Sequence, residues 1–500
     1  MPFLTDLINR ISASRRREIE RFMKYPAEVQ DEQLRYLLDN GRKTVFGKEH
    51  ELGAVSGGDD FAARVPLYDY ESFSRYSDRT REGEQGVVWP SRIKWFARSS
   101  GTTGSVSKFI PVSNEGLKLC HMRGPMDVAA LACWLYPESN VYGGKTLTLG
   151  GSRKVERLGS EINVGDLSAI LIENTPSFAR FKRIPKPETA LIPDFEEKVE
   201  AIYRDTVGEN VTSFAGVPSW NLVMLNKILE LSGRDNMFEV WPNIEIFVHG
   251  GMNFKPYRDQ YKKIFPSDRM KYMETYNASE GFFAMQDDPS RDDMLLMLDY
   301  GVYYEFLPTQ YLSDPSKSVP LEGVRQGVNY AMVITTCNGL WRYMIGDTVE
   351  FTSINPHRIK ITGRTKHFIN AFGEELIIDN AESALGEACD LTGARIADYT
   401  AGPIYMDDKS KGSHQWVIEF SVAPGDLGEF TVLLDKALRK RNSDYEAKRF
   451  KDTTLMLPTV TAVPQGTFYR WMKSRGKAGG QNKVPRLCND RTYVEQLLNL

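Results

Sequence analysis

Four short segments of this chain carry residue types suited to chemistry on a phosphorylated nucleotide. Eight of the nine residues Ser99-Ser100-Gly101-Thr102-Thr103-Gly104-Ser105-Val106-Ser107 are Ser, Thr or Gly, and Lys108 follows. Little side-chain bulk, many hydroxyls, free backbone N–H groups and a terminal cation are what wrapping polyphosphate oxygens requires. The spacing is not that of a Walker A loop, and Phe109 stands where Ser or Thr would hold magnesium. An ordinary surface loop shares this composition. Tyr276-Asn277-Ala278-Ser279-Glu280-Gly281 joins a ring able to stack on a purine to a carboxylate able to take Mg²⁺ through oxygen; a turn with a buried tyrosine reads the same way. In LWRYMIGD (340–347), Asp347 follows a glycine at a strand end, where it could accept ribose hydroxyls or simply be a solvated turn residue. GKAGGQNKVPR (476–486) is a glycine turn bearing Lys477 and Lys483, with a basic surface turn as its plain reading.

An alternating framework must hold these segments. Up to about residue 360, strand-like and helical stretches succeed one another as in an α/β domain. RIKWFARS (92–99) reads as strand, ETALIPDFEEKVEAIYRDTV (188–207) and PSWNLVMLNKILELSG (218–233) as helices, and NIEIFVHGG (243–251) as a strand entering a glycine turn. Residues 4–40 carry a helical period with Leu4, Leu7, Ile8 and Ile11 on one face, and Arg15-Arg16-Arg17 reads as a solvated face. Past residue 366 the texture changes. Trp416, Ile418, Phe420 and Val422 alternate as in a half-buried strand, and LMLPTVTAV (455–463) returns to strand. Between them Phe430, Leu433, Leu434, Ala437 and Leu438 follow the amphipathic helical rule. The expected architecture is α/β: a large domain over 1–362, a junction at 363–366, and a small α+β domain over 367–500.

Composition narrows the function classes. Five hundred residues are too many for one small core. Lys+Arg 63 against Asp+Glu 66 leaves −3, so no global field draws the chain to nucleic acid or anionic lipid. Five scattered cysteines without C-x-x-C argue for a reducing compartment. The N-terminal stretch lacks a signal-peptide core, and no apolar run approaches the ~18 residues that span a bilayer. The expectation is a cytoplasmic protein without membrane or nucleic-acid partners, a monomer or weak oligomer. The six histidines show no ligand spacing, His249 is expected to pack at a strand end, and no Ser-His-Asp or Cys-His signature stands out.

In combination and order, SSGTTGSVSK, YNASEG, RYMIGD, ITGRTKHFINAFGE and GGQNKVPR resemble the adenylate-forming superfamily. VPLYDYESFSRYSDRTREGE (65–84), FAGVPSW (214–220) and VYYEFLP (302–308) look like one branch, the auxin-responsive acyl-acid amido synthetase family (Gretchen Hagen three). The resemblance runs from about residue 30 to 490. It implies a large N-terminal domain with several sheets and flanking helices, and a small mobile C-terminal lid. It also implies two chemical steps: ATP and a small carboxylic acid give acyl-AMP and pyrophosphate, and an amino-acid amine then takes the acyl group and expels AMP.

Carried onto this chain, the resemblance assigns Ser99, Ser100, Thr102, Thr103 and Lys108 to the phosphate loop. Gly250 and Gly251 would run along the base, Tyr276 would flank the adenine, and Asn277 and Ser279 would lie beside it. Glu280 would hold Mg²⁺, Asp347 the ribose, and Arg364 the ribose or α-phosphate. Lys483 would reach the α-phosphate during adenylation, with Lys477 as its competitor, and Lys366 would be the pivot of a domain swing, a device suited to two steps in one pocket. Val217, Trp220, Val223 and Met224 would line the acyl pocket, although they also suit an apolar core. Met344 and Glu375 depart from residues common in plant members, Glu375 by reversing a charge. Transfer to coenzyme A, or a nucleotide-binding regulatory protein without turnover, are the alternative functions.

Overall fold

The computed structural model describes residue 8 and residues 10–99, 108–149, 155–158, 161–192, 194–251, 254, 257–365, 368–374, 376–406, 411–452, 454–474 and 484–500. Strands β1 (Trp95–Ser99) and β2 (Lys108–Val112) pair antiparallel with Ser99 opposite Lys108. The next strands are β3 (Lys145–Thr148), β4 (Glu156–Leu158), β5 (Ile162–Gly165), β6 (Arg183–Ile184), β7 (Val211–Gly216) and β8 (Ile246–Gly250). They are followed by β9 (Lys271–Ala278), β10 (Gly281–Met285), β11 (Met294–Leu296) and β12 (Val302–Pro308). Then come β13 (Val319–Pro320), β14 (Asn329–Thr336), β15 (Tyr343–Ile354) and β16 (His357–Arg364).

Among the described residues, one small sheet has the order β2-β1-β5-β4, and a sheet of twelve runs β13-β12-β14-β15-β16-β11-β10-β9-β8-β7-β3-β6. From β6 to β9 the large sheet is parallel. Beyond β9 every pairing is antiparallel. The parallel half reads as apolar runs because helices cover it. Phe214 of β7 stacks on Phe247 of β8 with ring centres 4.2 Å apart. The helix Pro218–Ser232 follows β7; proline at its first turn sacrifices no hydrogen bond, and Gly233 at φ 63° ends it in the left-handed region.

The chain beyond residue 367 builds a second unit from β17 (Phe368–Ile369), β18 (Leu376–Ile377), β19 (Arg395–Ile404), β20 (Ser413–Val422) and β21 (Thr459–Val463). Helices Ile378–Thr392 and Leu427–Arg441 pack on one face of the β19-β20-β21 sheet. An apolar cluster joins this unit to the parallel half, bringing Trp416, Phe430 and Phe372 together with Phe214, Trp241 and Tyr257.

Several local expectations change. The segment 4–40 holds two described helices, Ala13–Lys24 and Pro26–Gly41, because Pro26 starts a new helix after Tyr25. Arg15 is not on a solvated face. Its side chain is 11% exposed and pairs with Asp127 and Asp299, while Arg16 does stay exposed beside Glu20. The 188–207 helix divides into Pro187–Ala190 and Phe195–Thr206, the second capped by Asp194 accepting from the Glu197 N–H at 2.9 Å. Strand β20 is covered on both faces, because Val417 packs on Phe468, Trp471, Val494 and Leu497 from two late helices, and Val422 is exposed instead. Asp347 stands inside β15, not at a strand end. No described helix is long and apolar enough to cross a membrane.

Candidate active site

A cleft of about 1480 Å³ runs along β9, where the sheet changes from parallel to antiparallel, and reaches the carboxyl ends of β8 and β9. Open α/β sheets bind ligands at that edge. Lys108, Gly251, Tyr276, Asn277, Ser279, Glu280, Asp347 and Arg364 all line it. Gly250 lies behind this wall: a Cβ there would fall 2.3 Å from the Thr275 carbonyl oxygen, so only glycine lets β8 and β9 approach so closely. Gly251 turns the chain away at φ 81°.

The centre of the cleft is a three-residue relay. The Tyr276 phenol donates to Asp347 Oδ2 at 2.6 Å, and Arg364 Nε donates to Asp347 Oδ1 at 2.8 Å. Strand register sets the second contact, since Asp347 of β15 and Arg364 of β16 are direct cross-strand partners. Burial, and then the neighbouring Asp347 carboxylate, hold the Tyr276 phenol well above its ordinary range. Its ring meets Phe283 edge-on at 5.1 Å.

Glu280 occupies the turn between β9 and β10 and is 5% exposed. Burial pushes its carboxyl up to about 7, opposed chiefly by the Lys108 ammonium. Lys108 is itself buried at the start of β2, its ammonium 5.7 Å from the centre of the Tyr70 ring. No cluster of three or more His, Cys, Asp or Glu able to hold a metal occurs among the described residues. One carboxylate with the remaining ligands supplied by phosphate and water is nonetheless the usual arrangement for Mg²⁺, so the donor set fits.

Sequence reasoning missed part of the wall. Glu274, two positions before Tyr276 on β9, also faces the cleft, and burial, with Asp292 adding to it, pushes its carboxyl up to about 7 against Arg258 and Lys360. From the second unit come Asn370, Ala371, Tyr405 and Asn489. Asn370 N–H donates to Asn489 Oδ1 at 2.6 Å, and the Asn370 amide reaches the Gly251 carbonyl at 3.4 Å. No local pattern marks these residues, because their role comes from two units meeting. His249 stacks on Phe254 at 4.2 Å, and burial drives its imidazole down to about 3, which is packing chemistry.

The four residues expected along an acyl pocket do not line this cleft. Met224 is fully buried in the core and Val223 is packed against that core. The Lys448 ammonium sits 4.2 Å from the centre of the Trp220 ring, and Val217 backs Gly251. Ser100, Thr102, Thr103, Lys366, Glu375, Lys477 and Lys483 lie outside the described residues, as does the Ser99 side chain.

Comparison with known proteins agrees with this geometry. The GH3 family N-terminal domain matches residues 15–270, the GH3 family central domain 295–364 and the GH3 family C-terminal domain 379–492. The chain belongs to the GH3 family. This GH3 protein is 22% identical to the indole-3-acetic acid-amido synthetase GH3.4 of Arabidopsis thaliana, over 96% of this chain and 92% of that protein. It is 23% identical to the 4-substituted benzoates-glutamate ligase GH3.12 of the same plant, over 94% of each. The solved GH3.15 acyl acid amido synthetase in complex with 2,4-DB shares its fold with a TM-score of 0.62 at 18% identity, over 100% of this chain and 96% of that one.

Proposed function

We propose that this GH3 protein is an ATP-dependent ligase that adenylates a small carboxylic acid, releases pyrophosphate and passes the acyl group to the amine of an amino acid. What supports the reading is the meeting of Tyr276, Asp347, Arg364, Glu280 and Lys108 around one cleft, in a chain that matches over nearly their whole length proteins named as an indole-3-acetic acid-amido synthetase and a 4-substituted benzoates-glutamate ligase. Asp347, fixed by two donors, keeps lone pairs for ribose hydroxyls. The Tyr276 ring and the Gly250-Gly251 turn bracket the base, and Arg364 is near enough to the ribose to reach an α-phosphate oxygen.

A carboxylate attacking the α-phosphorus approaches a centre ringed by negative oxygens. Lys108 lowers that repulsion at the triphosphate, and Lys483 does so at the α-phosphate during adenylation. Removing one such preorganised group typically costs about 3–4 kcal/mol. Glu280 would hold magnesium, which when bound supplies further charge neutralisation of the phosphates. The substrate carboxylate is the nucleophile, so no side-chain nucleophile is needed. Leu167, Phe254, Met294 and Ile345 give the cleft apolar wall suited to an aliphatic or aromatic acid, with Val217 shaping it from behind Gly251. The second unit closes and reopens this cleft about Lys366 between the two steps.

Pyrophosphate exchange into ATP on addition of a panel of carboxylic acids, followed by mass spectrometry with a mixture of amino acids, tests the reading. Acid-dependent exchange and an amide product are expected. Product only with coenzyme A, or no exchange with any acid despite ATP binding, would overturn it.

A further inference from the structure

Asn338 belongs to none of the segments singled out above, yet it is fully buried at the turn between β14 and β15, and its side-chain amide is engaged on every side. Its Oδ1 accepts from the Ser113 N–H at 3.1 Å. Its Nδ2 donates to the Glu280 carbonyl oxygen at 3.2 Å and to His121 Nε2 at 3.2 Å. A backbone donor on one side and a backbone acceptor on the other fix which end of the amide is oxygen. For His121 Nε2 to accept, its ring proton sits on Nδ1; burial drives that imidazole down to about 4, so it is neutral and able to do so.

We propose that Asn338 is the positioning residue that sets the spacing between the cleft's carboxylate and its cation, and so tunes how tightly Glu280 takes magnesium. The proposal rests on the ligase reading and on Glu280 as the metal carboxylate. Ser113 directly follows β2, the strand that begins at Lys108. Glu280 and Lys108 both line the cleft. The one amide therefore ties the backbone at the far end of the lysine's strand to the backbone of the carboxylate itself.

The surrounding residues leave that amide little freedom. A Cβ on Gly116 would fall 1.7 Å from Asn338 Oδ1, so glycine is required for the amide to sit where it does. The Ser113 hydroxyl donates to the Cys337 carbonyl at 2.6 Å and accepts from the Gly116 N–H at 2.8 Å, which locks the turn beside Asn338. The π-helical turn Leu117–His121 brings His121 to the amide and Cys120 to the Phe282 N–H at 3.0 Å, gripping the Glu280 hairpin from its other side. Single π-helical turns are frequent at functional sites. Outer groups that orient a metal-binding carboxylate change metal affinity by about 10–100-fold when altered.

Asn338→Asp is the direct test, because it keeps the shape and the oxygen facing Ser113 but turns an acceptor toward the Glu280 carbonyl. The magnesium dependence of ATP binding is read by titration calorimetry, beside acid-dependent pyrophosphate exchange and thermal melting. The expected result is folded protein whose half-saturating Mg²⁺ rises about tenfold, with KM for the acid unchanged. Ile228→Ala, in the apolar cluster of the parallel half, should lower the melting temperature and leave the magnesium dependence alone. If Asn338→Asp does not fold, His121→Ala removes one leg of the amide and should also raise half-saturating Mg²⁺. An unchanged magnesium dependence in the folded variant, or an equal shift in Ile228→Ala, overturns the proposal. Wild-type protein lacking acid-dependent exchange would sink the ligase reading instead, while the calorimetric comparison would still judge Asn338.

Discussion

The phenol of Tyr276 and the carboxylate of Asp347 lie 2.6 Å apart, although the residues come from β9 and β15 on opposite sides of β10, β11 and β16 in the large sheet. On the proposed reading the tyrosine has two duties: its ring would offer a face to a base, while its hydroxyl fixes the acid proposed for the sugar. Tyr276→Phe separates them. Removing a hydrogen bond to a charged group costs about 1.5–3 kcal/mol. KM for ATP should therefore rise about tenfold or more, with kcat little changed. Tyr276→Ala should be worse, because the ring goes too. Steady-state pyrophosphate exchange over a range of ATP concentrations separates the cases, and a Phe variant with wild-type KM would show that the hydroxyl is idle.

Arg342 launches β15 from a left-handed backbone, φ 40°, and forms a two-pronged pair with Glu305 of β12 at 2.7 and 2.8 Å, both side chains nearly fully buried. It also donates to the Ala62 carbonyl at 2.8 Å and to that of Val65 at 2.5 Å. Breaking a buried pair strands the surviving charge, at about 3–5 kcal/mol, whereas removing both partners spares that penalty. Glu305→Leu and Arg342→Met should each lower the unfolding free energy measured by urea titration by that order, and the double variant should recover part of the loss. A strictly additive double variant would mean that the pair is not a coupled unit.

That pair also shows what a sequence can and cannot reveal. YEFLP and LWRYMIGD stand out as segments, but nothing local says that the glutamate of one neutralises the arginine of the other. Arg15 makes the same point in reverse: a run of three arginines reads as a solvated face, and only folding brings Asp127 and Asp299 to the first of them. Periodicity finds the helix Pro218–Ser232 and strand β8 well, because each has one continuous apolar pattern and a clear stop signal. It fails on β20, where a polar-looking alternation hides a second buried face that later helices supply. Lys108, Glu280 and Asp347, which line one cleft, stand out in the sequence because the phosphate and ribose chemistry proposed for them restricts residue type. Asn338 does not, because an asparagine before glycine reads as an ordinary turn.

Glu274 offers a test through pH. Its carboxyl is pushed up to about 7 from an ordinary value of 4.5, first by burial and then by Asp292. The folded protein thus holds this proton more tightly than the unfolded chain does, so the associated stability is complete below pH 4.5 and is lost as pH rises through 7. The loss amounts to at most about 3 kcal/mol. Glutamine carries no such proton, so Glu274→Gln should flatten the fall in unfolding free energy between pH 5 and pH 8. Glu280, which titrates in the same range, leaves a residual slope in the variant. Denaturant titrations at the two pH values measure the difference, and parallel slopes in wild type and variant would put the Glu274 carboxyl back in the ordinary range.

Two lysines are assigned to different stages of phosphoryl charge, and their variants should fail differently. Lys108 is buried at the start of β2 and lines the cleft with Glu280. Its charge is present before any bond changes, so Lys108→Met should weaken ATP binding itself, seen as a raised dissociation constant by calorimetry. Lys483 is proposed at the α-phosphate, where further negative charge accumulates as the acid attacks. Interactions made only in the transition state lower kcat and kcat/KM together and leave ground-state binding alone. Lys483→Ala should therefore slow single-turnover formation of acyl-AMP by about 10²–10³-fold while ATP still binds with near wild-type affinity. If Lys483→Ala adenylates at the normal rate and Lys477→Ala does not, the glycine-rich turn supplies its cation from the earlier position.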